Sequence, residues 1–166
     1  NNSDDNTYAL ACRTGATVIQ QDTICYDRNG VLCSQLADRF GVDEKRLTGK
    51  GAALFAGILA LSETEIEDDT PVIFLDADIS NIHAVDPVRR LLYGWQVSNA
   101  KLIKLASLGR QNEGIHAFLG IPNNPYHSLG AMQWPLCGQV LVPWGVLKQL
   151  RLTNTYAVEA AMMAGV

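Results

Sequence analysis

Asp76 and Asp78 close a short apolar run, Val72, Ile73, Phe74 and Leu75, and lead into Ile79, Ser80 and Asn81. Alternate residues of an extended chain point the same way, so both carboxylates can face one site. Together they offer the hard oxygen ligands taken by a divalent cation that carries a diphosphate. The same residue types cap helices and shape turns at strand ends, and the D-x-D spacing alone leaves both readings open. Lys50 stands between Gly49 and Gly51 at the start of an apolar helical stretch. Glycines let backbone approach a ligand closely, and a helix start attracts phosphate, so this lysine is suited to a nucleotide; the plainer reading is a solvated lysine in a helix-start loop. Glu159 lies among Ala157, Val158, Ala160, Ala161 and Met162. A carboxylate in so apolar a helix needs a partner or a cleft if it is buried, and is an ordinary helix acid if it is exposed.

The elements that must hold these residues follow from periodicity and punctuation. Asp4 to Arg13 reads as a helix with acids in its first turn, closed by Gly15, and Ala16 to Gln20 as a short strand. Arg28 to Phe40 reads as a helix with Val31, Leu32, Leu36, Ala37 and Phe40 on one face, stopped by Gly41. A further helix runs from Ala52 to about Glu63 with Ala53, Leu54, Gly57, Ile58 and Leu61 inward. The run at Val72 has the look of a strand buried on both faces, as in parallel sheets, with its carboxyl end where open α/β sheets bind ligands. Val85 to Trp95 is expected to be helical, Pro87 being tolerated in a first turn, and Lys101 to Leu108 to be a strand. Gly109 to Trp134, rich in Gly, Asn and Pro, reads as an irregular functional loop, and Pro143 to Leu150 and Thr155 to Ala164 as helices. The alternation predicts an α/β protein with an open, mostly parallel sheet and helices on both faces, formed by one domain over residues 1–166 without internal repeats.

Bulk properties narrow the function. The chain has 166 residues, 48% of them hydrophobic and 18% charged, enough for a sizeable core. A formal charge of -4 and only a small basic cluster, Lys45, Arg46 and Lys50, argue against a nucleic-acid binder. Cys12, Cys25, Cys33 and Cys137 show neither a C-x-x-C pair nor zinc spacing, and buried thiols in a reducing cytoplasm are expected. No apolar run approaches the ~20 residues that span a bilayer, and Asn1 to Thr7 is too polar and acidic for a signal peptide. A soluble, cytoplasmic protein is the expectation.

Four islands then fall in order: Asn2-Ser3-Asp4-Asp5-Asn6-Thr7; Gly49-Lys50-Gly51; Asp76-Ala77-Asp78; and Leu136-Cys137-Gly138-Gln139 with Tyr156-Ala157-Val158-Glu159 behind it. In order and spacing the chain resembles the GT-A nucleotide-sugar glycosyltransferases, and within them the glucosyl-3-phosphoglycerate synthase and mannosylglycerate synthase relatives. The resemblance covers nearly the whole chain. It implies a Rossmann-like core, a Mg²⁺ or Mn²⁺ cofactor, a nucleotide-sugar donor and a small hydroxyl acceptor such as phosphoglycerate or glycerate. It also implies that the first strand, and the acid that contacts the nucleotide base, precede Asn1, and that a metal-binding His and further helices follow Val166.

Residue by residue, the resemblance gives Asp78 direct ligation of the metal, and Asp76 a contact to the ribose or to a metal-bound water. Gly49, Lys50 and Gly51 would bind the nucleotide or its phosphate. Glu159 matches an acidic position near the acceptor and would orient sugar or acceptor hydroxyls. Gly138 and Gln139 would form the acceptor-side loop; many relatives carry a carboxylate where Gln139 stands, and an amide cannot serve as a base. Arg110, Asn112 and His116 could bind an anionic acceptor. Asn81 and His83 are secondary candidates, with His83 read as a solvent-facing loop residue, and His127 and Trp134 are equally suited to packing. Two other readings stay open: a noncatalytic GT-A remnant or assembly module, whose exposed sheet edge would favour a homodimer, and a sugar nucleotidyltransferase.

Overall fold

Polar caps and glycines set the first element. In the computed structural model, which describes residues 5–20, 49–77, 79–105, 138–151, 153 and 158–166, helix α1 spans Thr7–Cys12. The Thr7 amide donates to Asp5 Oδ1 at 2.9 Å. Hydrogen bonds from Thr7, the side chain first and the backbone amide second, hold the Asp5 carboxyl below its ordinary value. The helix thus begins later than the sequence predicts, and its first turn carries no acid. A turn then ends at Gly15, whose φ of +77° suits a residue without a Cβ. Ala16 to Gln20 forms no strand, because no described segment pairs with it. Cys12 is exposed rather than buried, since α1 buries none of its residues; the other three cysteines lie outside the described residues. The predicted helix from Arg28 to Phe40 also lies outside them.

Helix α2 spans Gly49–Ser62, so the Gly-Lys-Gly island is its first turn rather than a preceding loop. It buries Gly51, Ala52, Phe55, Ala56 and Ile58. Only Ile58 belongs to the face read from the sequence; Ala53 is exposed, and Leu54, Gly57 and Leu61 are half-buried. The helix is apolar almost all round, so periodicity could not choose a face. The fully buried Phe55 marks the side that packs.

By its packing the chain divides into two compact units, Asn1–Ile66 with Arg151–Val158, and Glu67–Leu150 with Glu159–Val166. The second unit contains strand β1 (Pro71–Phe74), helices α3 (Ile82–Val85) and α4 (Pro87–Val97), strands β2 (Ile103–Lys104) and β3 (Val140–Pro143), and helix α5 (Trp144–Leu147). Helix α6 (Val158–Ala164) completes the described elements. The sheet order is β1-β3-β2, and β3 runs antiparallel to both neighbours. Pro71 to Phe74 face Pro143 to Val140 in register, and Ile103 faces Leu141 on the other side.

The described sheet is therefore antiparallel, not the open, mostly parallel sheet expected. β1 and β2 do run in the same direction, but β3 is inserted between them. The strand buried on both faces is β3, with Val140, Leu141 and Val142 at most 1% exposed, whereas all of β1 is half-buried. Between the loop expected at Leu136 to Gln139 and the helix expected from Pro143, the short run Val140, Leu141 and Val142 forms this central strand. The observed helix α5 starts at Trp144. Its first two amides are satisfied by the chain entering β1, Trp144 N donating to Thr70 O at 2.9 Å and Gly145 N to Asp68 O at 2.8 Å.

The expected helix from Val85 is two helices broken at Asp86. That residue adopts φ 44°, ψ 63°, and its side chain accepts from Arg89 N at 3.3 Å, capping α4, with Pro87 in the first turn as anticipated. Helix α4 packs on all three strands and buries Leu91 completely. Gly94 permits the approach: a Cβ there would lie 3.1 Å from Ile103 Cγ2. Among the described residues no helix is long and apolar enough to cross a membrane.

Candidate functional site

The β1–β3 register, carried on past Phe74 and Val140, sets Asp76 opposite Gly138. The Asp76 carboxylate lies in the space that a Cβ on residue 138 would fill, closer than any van der Waals contact allows. Beside it, Gln139 Nε2 donates to Asp76 Oδ2 at 3.0 Å. The Gln139 backbone is itself tied to the other neighbour of β3, its carbonyl accepting from Leu105 N at 3.2 Å. Gly138 is buried, and Asp76 and Gln139 are half-buried. One end of the sheet, where β1 and β2 finish and β3 begins, therefore brings together Asp76, Gly138 and Gln139.

Glu159 stands in the first turn of α6 and is 8% exposed, the one buried charged residue among those described. It shares the helix with buried Ala160, Ala161 and Met162. A buried carboxylate is costly unless its surroundings answer it, and Glu159 does have an interaction partner there. In the first unit, Lys50 is half-buried in the opening turn of α2, behind Gly49, whose φ of +85° requires glycine, and ahead of buried Gly51. His83 is exposed, as expected, but stands in helix α3 rather than in a loop, and Asn81 precedes that helix without a side-chain cap bond. Asp78, Arg110, Asn112, His116, His127 and Trp134 lie outside the described residues.

For a divalent metal, the donor chemistry at the sheet end fits: the Asp76 carboxylate is a hard oxygen ligand of the kind Mg²⁺ and Mn²⁺ take. Among the described residues no group of three His, Cys, Asp or Glu side chains gathers to hold an ion. Asp78, the second carboxylate expected, is not one of them. A surface groove of about 380 Å³ runs along α4, lined by Asp86, Val88, Arg89, Leu92, Tyr93 and Gln96. It is one face of a single helix with its cap and takes no lining residue from the sheet end.

What sequence reasoning missed is the contact between Gln139 and Asp76. Its signal was the run Val140, Leu141, Val142: taken as a strand antiparallel to Val72–Phe74, it would have brought the two islands together.

Neither a protein-family model nor a curated protein matches the chain. Solved structures do. A glucosyl-3-phosphoglycerate synthase from Mycobacterium tuberculosis in complex with Mn²⁺, UDP-glucose and phosphoglyceric acid is 24% identical, with a TM-score of 0.67 over 97% of this chain and 49% of that one. The same enzyme in complex with UDP gives 24% identity and a TM-score of 0.68, covering 97% of this chain and 50% of that one. With Mg²⁺ and UDP it gives 23% and 0.68, covering 97% and 49%. The chain thus spans about half the length of the structures it matches. Over nearly all of its own length it has the fold of glucosyl-3-phosphoglycerate synthase, the GT-A fold to which the four sequence islands pointed.

Proposed function

We propose that this chain is a glycosyltransferase domain that, with a divalent metal, moves a hexose from a nucleoside diphosphate to a small hydroxyl acceptor, phosphoglycerate or glycerate. The observation that carries the reading is the Asp76 carboxylate held at the carboxyl end of β1 by Gly138 and Gln139, in a chain whose fold matches an enzyme solved with Mn²⁺, UDP-glucose and phosphoglyceric acid. Open α/β folds bind ligands at that end of their strands.

In this reading Asp76 and Asp78 hold the Mg²⁺ or Mn²⁺ ion, with Asp76 also reaching the ribose. The ion, when bound, offsets the negative charge that develops on the departing nucleoside diphosphate. Lys50 holds the nucleotide or its phosphate, and Gly49 and Gly51 let the backbone come close to it. Glu159 accepts hydrogen bonds from sugar or acceptor hydroxyls and so fixes the attacking oxygen against the anomeric carbon; positioning of that kind is worth orders of magnitude in rate. Gly138 and Gln139 lie on the acceptor side, and Arg110 and Asn112 supply charge-assisted hydrogen bonds to an anionic acceptor. Gln139, an amide, takes no proton.

The test is calorimetric titration of the 166-residue chain with UDP-glucose and with GDP-mannose, each with and without Mn²⁺. The reading expects one donor to bind in a metal-dependent way. A folded chain that binds neither donor, with or without metal, would overturn it.

A further inference from the structure

We propose that Gly138 and Gln139 form a seat that positions the Asp76 carboxylate, with Gln139 acting as a positioning residue. The inference deepens the metal-site reading above and rests on it.

The seat has two parts with different physics. Gly138 contributes space: the carboxylate occupies the volume of the missing Cβ, so any side chain at 138 displaces Asp76 from where it stands. Gln139 contributes direction: its Nε2 donates to Oδ2 at 3.0 Å, which fixes the rotation of the carboxylate about its last bond. An amide nitrogen is a donor and a carboxylate oxygen an acceptor, so the pair is complementary as it stands, and Gln139 adds no charge of its own.

The seat is also braced. Gln139 is tied through its carbonyl to Leu105 N at 3.2 Å, and the next residue, Val140, is 1% exposed and paired with Phe74 on one side and Lys104 on the other. A side chain anchored on the central strand thus orients a carboxylate just beyond the outer strand. Residues that orient a ligating group in this way contribute about 10–100-fold to metal affinity.

The test titrates Mn²⁺ with UDP against the chain, read by the electron paramagnetic resonance of free Mn²⁺, with thermal melts on every variant. Gly138→Ala and Gln139→Ala are expected to weaken Mn²⁺ binding about 10–100-fold while remaining folded. Gly145→Ala, which crowds Asp68 at the opposite end of β1, is expected to lower the melting temperature and leave Mn²⁺ binding unchanged. That control separates positioning from general destabilisation. Folded Gly138→Ala and Gln139→Ala chains that bind Mn²⁺ as tightly as the parent would overturn the seat. If the parent itself binds no Mn²⁺, the metal-site reading fails, and melts of Asp76→Ala, Gln139→Ala and the double variant decide the seat alone. Shifts that fall short of adding support it; additive shifts refute it.

Discussion

The two ends of β1 are built alike and partnered differently. At each end an aspartate lies against a glycine of the stretch 138–145: Asp68 against Gly145 where the strand is entered, and Asp76 against Gly138 where it is left. At the entry, Asp68 pairs with the Lys148 ammonium, and its side chain is 73% exposed. At the exit, Asp76 is half-buried, and among its interactions is a hydrogen bond accepted from the neutral amide of Gln139. A lysine partner answers the carboxylate's charge, whereas an amide aims the carboxylate and adds no charge. Entry and exit thus share a shape and differ in the chemistry of the side chain that reaches the carboxylate, a lysine at one and a glutamine at the other.

The largest expected effect tests that distinction directly. Asp76→Ala should abolish metal-dependent donor binding in calorimetry, whereas Asp68→Ala should bind donor as the parent does; equal losses in the two variants would dissolve the contrast. Next, Gly145→Ala would bring a Cβ to within 2.9 Å of the Asp68 Cβ and should cost about 1–3 kcal/mol in chemical unfolding, the usual cost of overpacking. Lys148→Ala should cost under about 1 kcal/mol, because the pair it removes is solvent-screened. The smallest effect belongs to the other unit, at Asp5. Its carboxyl is held below the ordinary value by Thr7, so its support of α1 is complete above the unfolded-state value and is lost as pH falls through the lower folded one. A titration of the Thr7 amide resonance should follow that transition, and Asp5→Asn should remove it.

Sequence fared unevenly across these regions, for physical reasons. Features set by one or two residues were legible: the stop at Gly15, the end of β1 ahead of Asp76, and Pro87 in the first turn of α4. Features set by partners were not. The buried face of α2 depends on what packs against it, and an all-round apolar helix does not disclose that. Strand direction is set by the neighbouring strand, and the neighbour of β1 lies far along the chain, at Val140 to Pro143. For the candidate site, Asp76 and Glu159 stand out by type and surroundings, and Gly138 and Gln139 only through the family resemblance. That three of them meet at one sheet end followed only from the pairing of β3, and the burial of Glu159 only from packing.

The pairing of β3 has one more consequence. Gly138 and Gln139 belong to the same continuous stretch as Val140, Leu141 and Val142, so the seat is correct only when β1 and β3 meet in the observed alignment. A slip of one residue would set Cys137 or Gln139 opposite Asp76 and exchange the two faces of the strand. Either residue carries a Cβ where the carboxylate must sit. A misaligned sheet could keep its apolar contacts and much of its compactness, yet it could not lodge Asp76, so the site itself reports whether the strands have been threaded correctly.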